Sequence, residues 1–181
     1  MCGGQGTRLP VGQEKPLVEV GGVPMVSRVA RALADSQVGR VYAVTSPQAP
    51  ETAAAVDLPH IEAPGEGYVT DLRYALADGR VDQPVLTVAA DVALLRARAV
   101  DHILAAAEGA TTVAVPVGRR RGLGLSVDTT FRAGGRLLVP SGVNVVGDGQ
   151  GLWVTTDRAL AANVNRPADL RRARWLAAES G

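Results

Sequence analysis

Apolar periodicity along this chain switches back and forth between a helical and a strand-like repeat, and that alternation limits the folds open to it more than any other feature. Pro24 to Asp35 places Val26, Val29, Ala30 and Leu33 at helical spacing behind a proline suited to a first turn. Arg40 to Thr45 has the pattern of a strand. Tyr68 to Ala77 returns to the helical repeat through Val69, Leu72 and Leu76. Pro84 to Ala90 is then a continuous apolar run of the kind seen in a strand covered on both faces, ended by Asp91. Ala97 to Glu108 puts Val100, Ile103, Leu104 and Ala107 on one helical face, and Thr111 to Val117 is a β-branched strand. Further strands are predicted at Leu137–Val139, Val143–Val146 and Leu152–Thr155, and a closing helix at Pro167–Ala177, started by its proline and Asp169. Gly118–Gly135 holds Arg119, Arg120 and Arg121 and five of the 21 glycines, which predicts a loop or hairpin excursion. With no internal repeat and no heptads, this order predicts one α/β domain over residues 1–181: a mostly parallel mixed sheet sandwiched between helices.

A chain of 181 residues and 18.7 kDa buries a core of this kind without disulfide staples. At 46% hydrophobic and 20% charged residues it is not a disordered chain, and a net charge of +1 provides no global field to hold nucleic acid. No run approaches about 20 apolar residues and no secretory leader opens the sequence, so a cytoplasmic protein without a membrane span is expected. The one cysteine, Cys2, excludes an intramolecular disulfide and an all-cysteine metal site, and its place among glycines suggests packing. Of the 19 basic residues, Lys15 alone is a lysine. A compact ammonium and a planar guanidinium are not interchangeable, so Lys15 asks for an explanation.

Its neighbourhood offers one. Gly3-Gly4-Gln5-Gly6-Thr7-Arg8 is followed by Glu14-Lys15-Pro16. Closely spaced glycines let backbone N–H groups converge on an anion, Thr7 and Arg8 add donors, and Lys15 supplies a mobile positive charge, which together describe a triphosphate cradle; the glycines alone would equally suit a flexible N-terminal loop, and Lys15-Pro16 favours the cradle. The lysine does not follow the last glycine directly, so this is not a Walker loop, and no third glycine falls three residues after Gly6, so it is not a dinucleotide fingerprint. Asp91 sits just past an apolar strand, at the end where open α/β sheets bind ligands; on position it is either a ligand-site residue or a cap for the next helix. Asn165, before the closing helix, could on position be only a cap. Ser46, Pro47 and the Gly65–Asp71 segment, with Gly67 and Asp71, follow successive strands on one side of the sheet, where backbone groups could read a base edge. Gly142 and Asn144 are candidate nucleotide or acceptor contacts, although a tight turn would equally demand the glycine. The triple arginine is either a solvated loop or a phosphate contact. His60 and His102 are expected to be ordinary surface or core residues, and no Gly-x-Ser-x-Gly elbow is present.

The pattern Gly-Gly-x-Gly-Thr-Arg, Lys-Pro-Leu and Gly-x-Pro-Met resembles the signature of the nucleotidyltransferase superfamily, which includes sugar-nucleotide pyrophosphorylases and the molybdenum-cofactor guanylyltransferase. The Leu138-Val139-Pro140-Ser141-Gly142-Val143-Asn144-Val145-Val146 stretch and the Gly65-Glu66-Gly67-Tyr68 segment make the chain similar, more narrowly, to archaeal GTP:adenosylcobinamide-phosphate guanylyltransferases. The similarity covers nearly the whole chain and implies a three-layer, Rossmann-like nucleotidyltransferase fold with a mostly parallel mixed sheet. It implies transfer of GMP from GTP to adenosylcobinamide phosphate, with release of pyrophosphate. It also implies β- and γ-phosphates held by Gly3, Gly4, Gly6, Thr7 and Arg8, and Lys15 at the α-phosphate or the incoming phosphate. Magnesium would be held by Asp91, with Asn165 as a further metal ligand or a nucleotide-phosphate contact, and the partners would be GTP, adenosylcobinamide phosphate and a second copy of the chain. Another GTP-using transferase, such as the molybdenum-cofactor enzyme, and a nucleotide-binding regulator without turnover are the alternatives.

One departure stands out. A phosphate loop of this class normally follows a central apolar strand, and only Met1 and Cys2 precede Gly3. A start methionine assigned too late would explain the gap, and in-frame apolar codons upstream would confirm it. An upstream stop codon would instead favour the inactive relative.

Overall fold

The structure, a computed structural model, describes residues 1–3, 9 and 12–179. A 3-10 turn at Lys15–Leu17 leads into the short hairpin of β1 (Glu19–Val20) and β2 (Val23–Pro24), and α1 (Met25–Ala34) follows. Next come β3 (Ala43–Thr45), α2 (Pro50–Ala55), β4 (His60–Glu62), α3 (Tyr68–Ala77), β5 (Val85–Val88) and α4 (Ala97–Ala106). The second half runs β6 (Thr111–Pro116), α5 (Val117–Gly122), β7 (Phe131–Ala133), β8 (Arg136–Val146), β9 (Gly151–Val154), α6 (Arg158–Ala161) and α7 (Pro167–Ala178).

Strands β3 and β4 pair in parallel. A second sheet runs β5-β8-β6-β9, with β7 on the end of β8. Because β8 is antiparallel to both β5 and β6, while β6 and β9 are parallel, β5, β6 and β9 share one direction and β8 runs against them. The mostly parallel mixed sheet expected from the alternation is therefore present. Helices cover both faces. Successive residues of β3 show it: Ala43 packs with Val26 of α1 and Val44 with Ala75 of α3, as the period of two requires. The apolar stripe of α4 joins Val29 and Ala32 of α1 over Val88, Val113, Val143 and Val145.

Met1 and Cys2 lie between β3 and β5. The Met1 amino group donates to the Val88 carbonyl at 3.0 Å and the Met1 carbonyl accepts from Ala90 N at 3.1 Å, a parallel bridge. On the other side Cys2 N donates to Val44 O at 2.8 Å. Cys2 is buried among Val26, Ala43, Val56 and Ala90, in keeping with a packing role. Toward the amino ends of the two strands, a cavity of about 620 Å³ opens between them, lined by apolar side chains such as Leu33, Val44, Ile61 and Leu86.

Three expectations are corrected. Val117–Gly122 is helix α5, not loop, because burial of Val117 and Arg120 fixes a turn that its glycines would otherwise leave open. The strands expected at 137–139 and 143–146 are one strand, β8; Gly142 (φ +82) and a register shift opposite Thr112/Ala114 carry it through a bulge that resembles a break in the sequence. The elements α2 and β4 lie in a stretch with no expected structure, since six and three residues are too few to show a period. Among the described residues no helix is long and apolar enough to cross a membrane.

Candidate active site

Residues that follow the carboxyl ends of β3 and β5, and of the Met1–Cys2 segment, gather at one end of the sheet: Ser46, Asp91 and Gly3. Lys15 reaches this place from the other side of the chain. Its Nζ donates to Asp91 Oδ2 at 2.5 Å and to Asn165 Oδ1 at 3.0 Å, with the Lys15 and Asp91 side chains each 16% exposed. Glu14, the preceding residue, fixes the turn that presents the lysine. Its carboxylate accepts from Glu51 N at 2.8 Å and Thr52 N at 2.7 Å, the orphan donors at the start of α2. Burial alone would raise the Glu14 pKa, but hydrogen bonds from Thr52 and Glu51 outweigh it and hold the carboxyl below its ordinary value.

Asp91 and Asn165 are brought together by backbone pairing. Val92 bridges Asn163, Ala93 N donates to Ala162 O at 3.2 Å, and Val164 N donates to Asp91 O at 2.9 Å. Neither side chain caps a helix: α4 is capped at Arg96 and α7 at Arg166. Behind them stand Arg120, which the sequence offered only as part of a solvated or phosphate-contacting arginine triplet, and Asp169, which it read only as part of a helix start. Arg120, 2% exposed, donates to Ala161 O at 2.8 Å and to Asn163 O at 3.0 Å, and also to Ser126 O and Asn163 Oδ1. Asp169, fully buried, accepts from Ser126 N (2.7 Å), Ser126 Oγ (2.7 Å), Arg166 N (2.9 Å) and Asn165 N (3.1 Å). Burial would raise the Asp169 pKa; those donors more than offset it, so it lies below the ordinary value. For Arg120, burial lowers the pKa against the pull of Asp169, Asp91 and Asp128. The middle arginine of the triplet thus turns inward, while Arg119 and Arg121 are exposed. Only its position three residues after the buried Val117, on a helical turn, could have singled it out.

A cavity of about 560 Å³ opens above the Lys15–Asp91 pair, lined in part by Gly3, Lys15, Gly67, Tyr68, Asp71 and Asp91. Gly3 approaches so closely that a Cβ there would fall 2.8 Å from Ser46 Cβ. Ser46 Oγ donates to the Gly3 carbonyl at 2.8 Å and accepts from Gln48 N at 3.3 Å, so its hydroxyl anchors the glycine segment. Asp71 Oδ1 accepts from Gly65 N (2.9 Å) and Glu66 N (3.2 Å) and shapes the loop whose Gly67 has φ +109. At the margin Tyr68 Oη contacts Thr87 Oγ1 (3.1 Å) and accepts from Asn144 Nδ2 (3.4 Å). Gly142 lies beneath the Asp91 loop, accepting from Ala89 N at 2.8 Å, and a Cβ there would meet Val92 Cγ2 at 3.2 Å. Gly4, Gly6, Thr7 and Arg8 lie outside the described residues.

The donor set suits a hard divalent cation. Asp91 Oδ1 is buried and has no hydrogen-bond partner among the described residues, and Asn165 contributes an amide oxygen beside it. Among the described residues no three His, Cys, Asp or Glu side chains cluster, so such an ion would take its remaining ligands from substrate and water.

Comparison with known proteins places this arrangement. The sequence model of the MobA-like NTP transferase domain matches residues 1–178. The chain belongs to that family. It is a nucleotidyltransferase. Over its full length, and over 97% of the relative, it is 28% identical to an adenosylcobinamide-phosphate guanylyltransferase of Methanocaldococcus jannaschii. A CMP:2-keto-3-deoxy-manno-octonic acid synthetase solved with CTP shares its fold at a TM-score of 0.66 and 16% identity, covering 97% of this chain and 95% of that one. A putative glucose-1-phosphate thymidylyltransferase from Bacillus anthracis does so at 0.69 and 12%, covering 97% and 92%. The three-layer nucleotidyltransferase fold expected from the resemblance is therefore the one observed.

Proposed function

We propose that this nucleotidyltransferase moves GMP from GTP to adenosylcobinamide phosphate in the cytoplasm, releasing pyrophosphate. A phosphate oxygen of the acceptor forms a bond to the α-phosphorus of GTP, the bond from that phosphorus to the bridging oxygen breaks, and pyrophosphate leaves with the electron pair. The attacking phosphate is already ionised at neutral pH, so no general base is needed. What the catalyst must supply is alignment and positive charge where the leaving oxygens gain negative charge. The observation that carries this reading is the convergence of Lys15, Asp91 and Asn165 at the wall of a cavity that also holds Gly3, Gly67 and Asp71. The guanylyltransferase name of the full-length relative favours this donor and acceptor.

In this reading the Gly3–Arg8 segment receives the β- and γ-phosphates, Lys15 neutralises the α-phosphate or the acceptor phosphate, and Ser46 keeps the Gly3 carbonyl turned away from the anion. Gly142 and Asn144 face the base or acceptor through the Ala89–Asp91 loop and Tyr68. Asp91 and Asn165 would hold magnesium, which when bound offsets phosphate charge. The test is incubation with GTP and adenosylcobinamide phosphate while pyrophosphate is measured, with ATP, CTP and a molybdopterin acceptor in parallel. Pyrophosphate release only with the molybdopterin acceptor would transfer the reading to that reaction; nucleotide binding without release would refute turnover. Lys15→Ala is expected to cost on the order of 100- to 1000-fold in kcat with the fold intact, and near-normal turnover would remove Lys15 from the mechanism. Sedimentation of the same sample tests the proposed homodimer.

A further inference from the structure

Lys15 is placed where two different jobs collide. As a phosphate-binding cation it must point into the cavity, yet its ammonium sits on Asp91 Oδ2 and Asn165 Oδ1, the two oxygens that suit a divalent ion. Three charges cannot share this spot on equal terms. One carboxylate balances one ammonium, and a divalent ion arriving beside that ammonium meets like charge in a site shielded from solvent. Among the described residues Asp91 Oδ1 meanwhile stays buried without a hydrogen-bond partner, an acceptor site on the same carboxylate that the ammonium leaves unused. We propose that the Lys15 ammonium holds the place of the divalent cation in the nucleotide-free protein, and that nucleotide phosphate draws it off Asp91 before the cation settles there. The inference rests on the metal assignment of Asp91 and Asn165 made above and adds its order and control. Cation and nucleotide then bind cooperatively, because phosphate gives the displaced ammonium a new partner. The free protein does not hold a stray divalent ion in its active site.

The exchange is tested by titrating full-length protein with Mn2+ alone, without nucleotide, and following the free ion by electron paramagnetic resonance. Lys15→Met is expected to bind Mn2+ about tenfold or more tightly than wild type, because it leaves the Asp91 carboxylate uncompensated. Lys15→Gln, which keeps a hydrogen-bond donor beside Asp91, repeats the test where Lys15→Met folds poorly. Adding Asp91→Asn to either variant is expected to abolish the gain. Equal affinity of wild type and both Lys15 variants, with the Asp91→Asn double variants weaker, would overturn the exchange and leave the metal site standing. A gain that survives Asp91→Asn would overturn the exchange and the metal assignment together. The reciprocal measurement needs no metal. In EDTA, Asp91→Asn is expected to bind inorganic pyrophosphate more tightly than wild type when Lys15 is present and to show a smaller gain in a Lys15→Met background. A gain of the same size in both backgrounds would be simple charge removal and would also overturn the proposal.

Discussion

Replacing Arg120 by methionine removes a buried guanidinium from four acceptors: the carbonyls of Ser126, Ala161 and Asn163 and the Asn163 side-chain oxygen. Stranding a buried acceptor costs about 1–3 kcal/mol. Part of that is returned, because burial disfavours the Arg120 charge, as its lowered pKa records, and methionine carries no such penalty. Allowing for this and for non-additivity, the net loss is about 3–5 kcal/mol. A domain with roughly 5–15 kcal/mol of stability survives it, with a Tm lower by about 6–20 °C at the 2–4 °C per kcal/mol usual for this size. Urea and thermal unfolding followed by circular dichroism measure it. Arg120→Lys, which offers one compact cation to acceptors spread over three residues, is expected to recover less than half of the loss. In the folded variant the Asn163–Asn165 segment loosens, so, with magnesium held there as proposed, the magnesium concentration for half-maximal activity rises more than kcat falls. A stability change under about 1 kcal/mol, or unchanged magnesium dependence, would refute the view that Arg120 holds this segment in place.

Asp169→Asn turns an amide NH2 toward donors that now meet a carboxylate, and is expected to destabilise by about 2–4 kcal/mol at pH 7. Since the folded pKa of Asp169 lies below its unfolded value, this contribution is complete above about pH 4 and is lost as pH falls through the folded value. Wild-type and variant unfolding curves should therefore converge only in strong acid; convergence near pH 6 would point to another group. Gly142→Ala combines a positive φ with contacts of 3.2 Å to Val92 and 3.3 Å to Ala89, a cost of about 1–3 kcal/mol. It should also lower kcat by shifting the Asp91 loop, and full activity would show that loop to be tolerant. A chain carrying five or six β-branched residues fused ahead of Met1 is expected to lay them between β3 and β5, in the 620 Å³ cavity. At about 1.5–3 kcal/mol per covered side chain, less the entropy of ordering, Tm rises by several degrees, whereas a polar extension of equal length adds nothing. Equal melting of the two fusions would count against a strand-receiving slot.

Much of the fold was legible in the sequence because long amphipathic and β-branched segments state their own period. Tyr68–Ala77 is a helix with the expected bounds, and α1, α4, α7, β5 and β6 deviate only at their ends. Lys15 stood out as a lone lysine, and Asp91 as the residue ending an apolar run; both follow from one-dimensional signals. The sequence by itself thus determined the layer order, the glycine-rich amino-terminal motif and the two most reactive-looking charges. Tertiary structure alone decided that Lys15, Asp91 and Asn165 meet, across 76 and 150 residues, through the Val92–Asn163 bridge and the Glu14 clamp on α2. It likewise turned Arg120 inward and folded Asp169 under the Asn165 loop. Those assignments depend on which buried donors and acceptors find each other once the sheet has closed, and no local spacing encodes that pairing.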